Sequence, residues 1–410
     1  MMRKPSAAII ALAKDIVRDS ATCGQPFERA HVLPGESYVS QQFWEFEKWA
    51  IFSREWLFVG HVNQVPAPGD HIFRRILDEP ILVVRDHDNN VRVLSAVCQH
   101  RGHPIVGGLK PGPEDAGCLN AQRLVCPYHN WVYDLDGKLI GAPSMERTAP
   151  MSELRAEIRL PEIRSEIFHG LIFINFDDRA RNLSPTLAKL DHELAGMNVA
   201  EMVPLPPRID KELRWNWKVH HENALEAYHT DYVHKNTHNS APSHLTRFKI
   251  FEPGDGQIMM ETGFAPGQGD LYAKEGATIL ASDGLRDDQR RRVLFVSVLP
   301  TFFAVVQPAN LNVTLLLPRD ANVMDTHRFG LYSKSAVEAP DFEETYKAVS
   351  KARDVIIGED RTTQMAVHEG HLSRFSPRGR LSWLEATIPQ MNEWLLDRYR
   401  SALEERATAE

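Results

Sequence analysis

The chain has 410 residues, 43% of them hydrophobic and 25% charged, and a formal net charge of −8. Those proportions belong to a globular protein with enough core for two to three domains. The acidic balance argues against nucleic acid or an anionic membrane as partner, no stretch reaches the ~20 apolar residues that span a bilayer, and the expected compartment is the cytoplasm.

Residues 1–45 read as polar and helical. The apolar run 7–13 follows Arg3 and Lys4, but Lys14, Asp15 and Arg18 come at once, so residues 5–19 predict an amphipathic helix rather than a secretory signal. From Trp56 the pattern changes to short β-rich runs at 56–62, 81–85 and 91–94, separated by Pro-Gly, Asp-Glu-Pro and Asp-Asn-Asn turn signals. A β domain from about 50 to 165 follows, with a buried strand at 171–176 leading out of it. Residues 184–201 are helical and acidic. Residues 253–290 are rich in Gly and Asp, which suits a loop over a site. Three strands are expected between Val293 and Pro318. From Pro389, Met391, Trp394, Leu395, Arg398 and Tyr399 recur at helical steps.

Four residues carry the strongest signal. Cys98 and His100 stand in C-x-H-R-G, and Cys126 and His129 in C-P-Y-H. Structural zinc sites usually pair like with like, as C-x-x-C or H-x-H. Mixed pairs suit a [2Fe–2S] centre in which two thiolates hold one iron and two imidazoles the other, the Rieske arrangement. Four unrelated residues on two loops is the bland alternative, and the flanks oppose it. Pro127 fixes a tight turn, and residues 133–139 read as strand, Asp-Gly turn and strand. Of the other cysteines, Cys23 lies near the N-terminus and Cys118 in a loop; free thiols are the expectation for both.

Here the chain resembles the Rieske domain of ring-hydroxylating oxygenases. It departs from that family at Asn130, where Gly is usual, and in the longer spacer from His100 to Cys126, swollen around residues 110–117. Respiratory Rieske proteins carry an extra, disulfide-forming cysteine in each motif; Gln99 and Tyr128 occupy those interiors here, which resembles the oxygenase branch and its lower potential.

A second constellation lies in residues 215–234. Glu226 and His229 are three apart and share a helix face. His234, five beyond His229, would sit about 140° away on an ideal helix, so both reach one ion only if the helix bends or ends between them. His220, His221 and His238 show how common histidine is locally, and ordinary surface histidines are the alternative. Non-heme iron(II) sites want two histidines and a carboxylate. The segment resembles the iron-binding stretch of the same oxygenases. That resemblance implies His229 and His234 as iron ligands, Asn223 as a supporting residue and Glu226 as an acidic bridge between an iron-bound histidine and a Rieske histidine of the neighbouring subunit. Glu in place of the usual Asp is more like the carnitine and betaine demethylases of the group. For the third ligand Asp360 leads, with Glu359 and then Asp354 behind it. The family's Q-x-G is matched imperfectly by His368-Glu369-Gly370.

The resemblance implies an α+β fold: an antiparallel β Rieske [2Fe–2S] domain (46–170) and a helix-grip, Bet v1-like catalytic domain with mononuclear iron (171–410), on which an N-terminal helical segment (1–45) packs. It implies a terminal oxygenase that takes electrons from NAD(P)H through a separate reductase or ferredoxin, uses O2 on a small organic substrate, and assembles as a homotrimer or α3α3. The competing reading is a Rieske electron carrier, which needs only about 110 residues and leaves most of the chain unexplained. A third class, a regulatory protein using the cluster as a redox sensor, has no basic DNA-reading element in its favour. The substrate pocket is expected to draw on residues 240–310, including Phe295, Phe302, Phe303 and Gln307; no Arg or Lys is assignable to a substrate charge.

Overall fold

A computed structural model describes residues 4–105, 122–272 and 279–407. The expected loop at 110–117, Cys118 and part of the 253–290 segment lie outside those residues. The chain forms two compact units, Phe58–Ala180 and a second made of Met1–Leu57 with Arg181–Glu410.

The first unit is built from three antiparallel three-stranded sheets. One orders Leu57–His61, Leu171–Asn175 and Arg164–Phe168; the second runs His71–Ile76, Glu79–Arg85 and Val91–Ser95; the third Leu124–Val125, Val132–Tyr133 and Leu139–Gly141. The unit runs to Ala180 rather than 170 because Leu171–Asn175 is the central strand of its sheet, buried along its length. The Asp-Gly turn forms at Asp136-Gly137, where Gly137 has φ +86°. Phe73, Leu82, Leu94, Leu124, Trp131, Tyr133 and Leu135 make one core with Cys98 and Cys126, so the two thiols sit inside the fold.

The second unit has an eight-stranded antiparallel sheet. Its order is Val203–Pro204, Met324–Tyr332, Asn310–Pro318, Phe302–Gln307, Arg292–Val298, Ile258–Gly263 and Thr246–Phe248, with Arg208–Leu213 also on Met324–Tyr332. Register aligns side chains in rungs, because residues paired across strands point to one face. One rung is Met260, Phe295, Val305, Asn312 and Gly330. Another is Phe303, Thr314, Arg328 and Arg208. All nine line a single cavity, with a 31-residue helix, Phe342–Leu372, supplying residues to the same space. Antiparallel sheet and long helix around one cavity make this the α+β catalytic architecture expected.

The N-terminal segment belongs to this unit. Ala7–Asp19 is a helix capped by Ser6 that buries Ile10, Ala13, Ile16 and Val17. Gln41–Glu47 ends in a carboxylate buried completely, against an equally buried Lys218 on helix Trp217–Ala224, with Lys218 Nζ 2.8 Å from Glu47 Oε1. Tyr399 on the C-terminal helix Thr387–Ala407 donates its hydroxyl to the same carboxylate. Among the described residues no helix is long and apolar enough to cross a membrane.

This ion pair gives a stability prediction. Removing one partner leaves a buried, uncompensated charge, which costs about 3–5 kcal/mol. Glu47→Leu or Lys218→Met should each lower the urea midpoint by that equivalent, while Glu47→Leu with Lys218→Met recovers most of it; equal losses in the single and double variants would show the pair to be dispensable.

Candidate functional site

The cysteine motifs form two loops of matching geometry. The amide of Cys98 donates to His103 O (3.0 Å), and that of Gly102 to Cys98 O (3.0 Å). The amide of Cys126 donates to Trp131 O (2.8 Å), and that of Asn130 to Cys126 O (3.0 Å). The residue four beyond each cysteine is left-handed: Gly102 at φ +76° and Asn130 at φ +54°. Asn tolerates that region better than other non-glycine residues, which accounts for Asn130 where the family usually has Gly.

Both loops aim ligand atoms inward. Cys98 and Cys126 are 1% exposed. The His100 and His129 rings lie 4.7 Å apart, and His100 stacks on Trp131 at 4.5 Å. Their Nδ1 atoms are buried with no hydrogen-bond partner among the described residues. Buried polar atoms are rarely orphaned, so this pair of nitrogens beside two buried thiols fits a [2Fe–2S] cluster held by sulfur on one side and nitrogen on the other. Tyr133 supports the first thiol, its hydroxyl 3.3 Å from Cys98 Sγ and accepting from the Gln99 amide. Burial pushes the Cys98 thiol up, the direction a metal must reverse to hold it as thiolate.

The second constellation is resolved by a broken helix. Trp217–Ala224, capped by the Asn216 side chain, stops before Glu226, and Thr230–Val233 starts again as one turn with His229 and His234 as its two caps. The break removes the 140° mismatch. His229 Nε2 lies 3.4 Å, and His234 Nε2 2.9 Å, from Asp360 Oδ1. One donor atom from each of the three falls within 4.8 Å of the others. Behind them, His229 Nδ1 meets Glu226, whose other oxygen accepts from the Tyr228 and His229 amides. His234 Nδ1 meets Glu359 Oε2 at 2.7 Å, and Thr237 donates to the same oxygen. Asp360 therefore faces the open nitrogens, while Glu359 takes the rear of His234. Asp354 is instead the partner of Arg208. Asn223 accepts from Gln364 Nε2 at 2.5 Å, which ties the first helix to the long one.

The charges agree with a cation site. Burial opposes protonation of His229, but Asp360 and Glu226 overcome it and carry the ring up to about 10. His234 is raised against its own burial by Asp360 and Glu359. Asp360, though buried, is held well below the carboxylate range by the two histidines. A divalent cation supplies the same compensation in place of those protons, and two imidazoles with one carboxylate are the donor set iron(II) prefers.

The other histidines are structural or line the wall. His221 bonds Ser297 Oγ at 2.8 Å and Pro300 O at 3.0 Å, and His238 bonds Ala241 O at 2.9 Å. Phe295 and Phe303 line the cavity, whereas Phe302 points to the opposite face by strand alternation and Gln307 accepts from the Leu271 amide. Sequence reasoning missed Gln364, Thr237 and the cavity arginines Arg208, Arg328, Arg353 and Arg361. Helical spacing from Asp360 would have found Gln364 and Arg353; nothing in the sequence marked Thr237.

Residues 199–401 match the ring hydroxylating alpha subunit (catalytic domain) family, and residues 55–159 the Rieske [2Fe–2S] domain family. The carnitine monooxygenase oxygenase subunit of Escherichia coli (strain K12) is 32% identical over 229 residues, 54% of this chain and 57% of that protein. The 2-aminobenzenesulfonate 2,3-dioxygenase subunit alpha of Alcaligenes sp is 33% identical over 208 residues, 50% of each. The aligned span is thus about half the length of these curated relatives. A quaternary ammonium Rieske monooxygenase structure shares the fold with TM-score 0.76 at 22% identity, covering 93% of this chain and 98% of that one. Naphthalene 1,2-dioxygenase from Rhodococcus sp. does so with TM-score 0.75 at 18% identity, covering 98% and 99%.

Two predictions follow from this geometry. Asn130→Gly should leave the melting temperature of the cluster absorbance unchanged. Asn130→Val, a β-branched residue forced left-handed, costs about 1–2 kcal/mol and should lower it; equal behaviour would remove the backbone argument. The second concerns pH. Burial, with His220 beside it, pushes His221 down to about 3 from 6.5. The unfolded chain therefore binds a proton below pH 6.5 that the folded chain refuses, so stability is full above 6.5 and falls as the pH drops toward 3. The slope from this one ring is about 1.4 kcal/mol per pH unit. His221→Gln should flatten the dependence of the urea midpoint between pH 6.5 and 4 by that amount, and an unchanged slope would contradict it.

Proposed function

Because the chain belongs to the Rieske ring-hydroxylating oxygenase alpha subunits, we propose that it is the terminal oxygenase of a multicomponent system, acting with an NAD(P)H-dependent reductase or ferredoxin on a small organic substrate and O2. The observation that carries this is the convergence of His229, His234 and Asp360 on the wall of a cavity lined by both apolar and polar side chains. A bare electron carrier has no use for such a cavity.

When bound, the [2Fe–2S] group supplies single electrons and the mononuclear iron the activation of oxygen. The chain's own residues do the rest. Cys98, His100, Cys126 and His129 hold the cluster. His229, His234 and Asp360 hold the iron. Glu226 and Glu359 fix the ring orientation of the two histidines and keep Nε2 forward. Asn223 and Gln364 hold the broken helix against the long one. Phe295, Phe303, Val305, Val313 and Ile356 give the cavity its apolar wall. In a head-to-tail homotrimer, or α3α3 assembly, Glu226 couples His229 to the neighbouring subunit's cluster domain. The expected compartment is the cytoplasm. Relatives are named for carnitine and an aminobenzenesulfonate, others for biphenyl and naphthalene, so the reaction class is inherited more securely than any substrate.

Iron analysis tests the reading. The purified protein should hold three irons per chain. His229→Ala and Asp360→Ala should hold two, with the visible cluster spectrum intact. Three irons in either variant would overturn the ligand assignment, and two in the parent would favour the carrier. Glu226→Gln should keep all three yet lose about 10–100-fold in turnover; full activity would take Glu226 out of its role.

A further inference from the structure

The charge lining the cavity is unequal. Arg208 and Arg328 stand opposite each other on adjacent strands, an unfavourable like-charge rung. Arg353 and Arg361 come from the long helix onto the same cavity of about 180 Å³. Arg208 pairs with Asp354. Arg328 and Arg361 share one carboxylate, Asp210, with Arg328 at 2.7 Å. Arg353 has no carboxylate within ion-pairing distance among the described residues. Its guanidinium is held by neutral acceptors, Asn312 Oδ1 at 2.5 Å and Ser350 Oγ at 3.1 Å, and its Nε is buried without a hydrogen-bond partner. A further acid that feels its charge is Asp270, a buried carboxyl that accepts from the Tyr272 amide. Of these four guanidiniums, Arg353 is the one without an ion-paired carboxylate among the described residues.

We propose that the cavity takes substrates bearing a carboxylate or sulfonate, and that Arg353 is the group that binds it. The inference rests on the oxygenase reading for the reaction and on the arginines for the substrate class. A guanidinium offers parallel donors that match a two-oxygen anion, and a half-desolvated cation gains most when an anion arrives to compensate it. Arg353 precedes Asp360 by seven residues on one helix, about 10 Å along its axis. Phe295, Val305, Val313 and Ile356 give the same cavity apolar wall. The arrangement selects a molecule with an apolar body and an oxyanion at the end remote from the reacting carbon. Tyr346, whose ring centroid lies 6.0 Å from the Arg353 guanidinium, lines the cavity beside it.

The probes are 3-phenylpropanoate and its uncharged isostere 3-phenylpropanamide, titrated calorimetrically into the iron-replete protein, with iron measured in the same samples. The anion should bind at least about tenfold tighter than the amide, one ion-pair hydrogen bond's worth. Arg353→Gln should bring the anion to the affinity of the amide and leave the amide unchanged. Arg353→Lys keeps the charge without the fork and should fall between; it also decides the matter if Arg353→Gln proves unstable. Equal affinity for both probes in the parent, or an anion preference that survives Arg353→Gln, overturns the proposal. Two irons per chain with the anion preference intact would sink the oxygenase reading while leaving the subsite standing; three irons without the preference would do the reverse.

Discussion

Two histidines five residues apart meet on one atom only if the helix between them is interrupted, and much of the catalytic unit serves that interruption. Trp217–Ala224 must stop on time and Thr230–Val233 must restart in the right direction. The loop between them has free amides, and the Glu226 carboxylate takes two of them while its other oxygen turns to His229. One side chain thus caps the restart and aims the ring. The same economy appears at His234, where Glu359 holds the rear nitrogen and its chain neighbour Asp360 faces the front one. Adjacent residues on a helix diverge by about 100°, so the pair reaches around the ring from one backbone position.

A broken helix needs external anchorage, since one turn has little stability alone. The anchors are polar and buried. Lys218 is pinned to Glu47, which also receives the Tyr399 hydroxyl. Tyr38 donates to Glu222 at 2.6 Å, and burial of that carboxyl pushes it up to about 7. Asn216 reaches both Tyr38 O and Ala321 O. The N-terminal segment is therefore part of the catalytic unit's frame: it supplies the groups that fix where the metal-side helix begins. Ion pairs of this kind add little net stability over apolar packing. Their directional demands serve position, and position is what a three-ligand site requires.

The two Cys–His loops were legible because each pair lies within four residues, so local spacing and turn chemistry contain nearly all the geometry. The left-handed Asn130 explains why a departure from the usual Gly there was harmless. The strands at 56–62, 81–85 and 91–94 were legible from turn signals and alternation, as was the C-terminal helix from its buried Met391, Trp394, Leu395 and Tyr399. The carboxylate that faces the two histidines was legible only as a ranked set. Asp360, Glu359 and Asp354 look alike along the chain, and only their angular positions on one helix separate a front-facing carboxylate, a rear-facing one and an arginine partner. The limits of the first unit were read short at 170 because a fully buried strand gives no sign of which neighbours it pairs with.

The arginines were hidden for a related reason. Arg208 and Arg328 become neighbours through strand register, and Arg353 and Arg361 join them through the face of a helix more than twenty residues downstream of Arg328. Charge excess is a property of the assembled wall, since each arginine alone reads as a solvated surface residue. Once assembled, the cavity is lined by carboxylates and imidazoles suited to a cation around Asp360 and, two turns away along the long helix, by Arg353, which has no ion-paired carboxylate among the described residues. A substrate with no charge would leave Arg353 uncompensated in a low-dielectric space, where that costs most. Polarity of this kind also orients what binds. On the proposed reading, an anionic tail drawn to Arg353 leaves the apolar body to reach the His229, His234 and Asp360 end, so electrostatics along the helix axis would orient what binds.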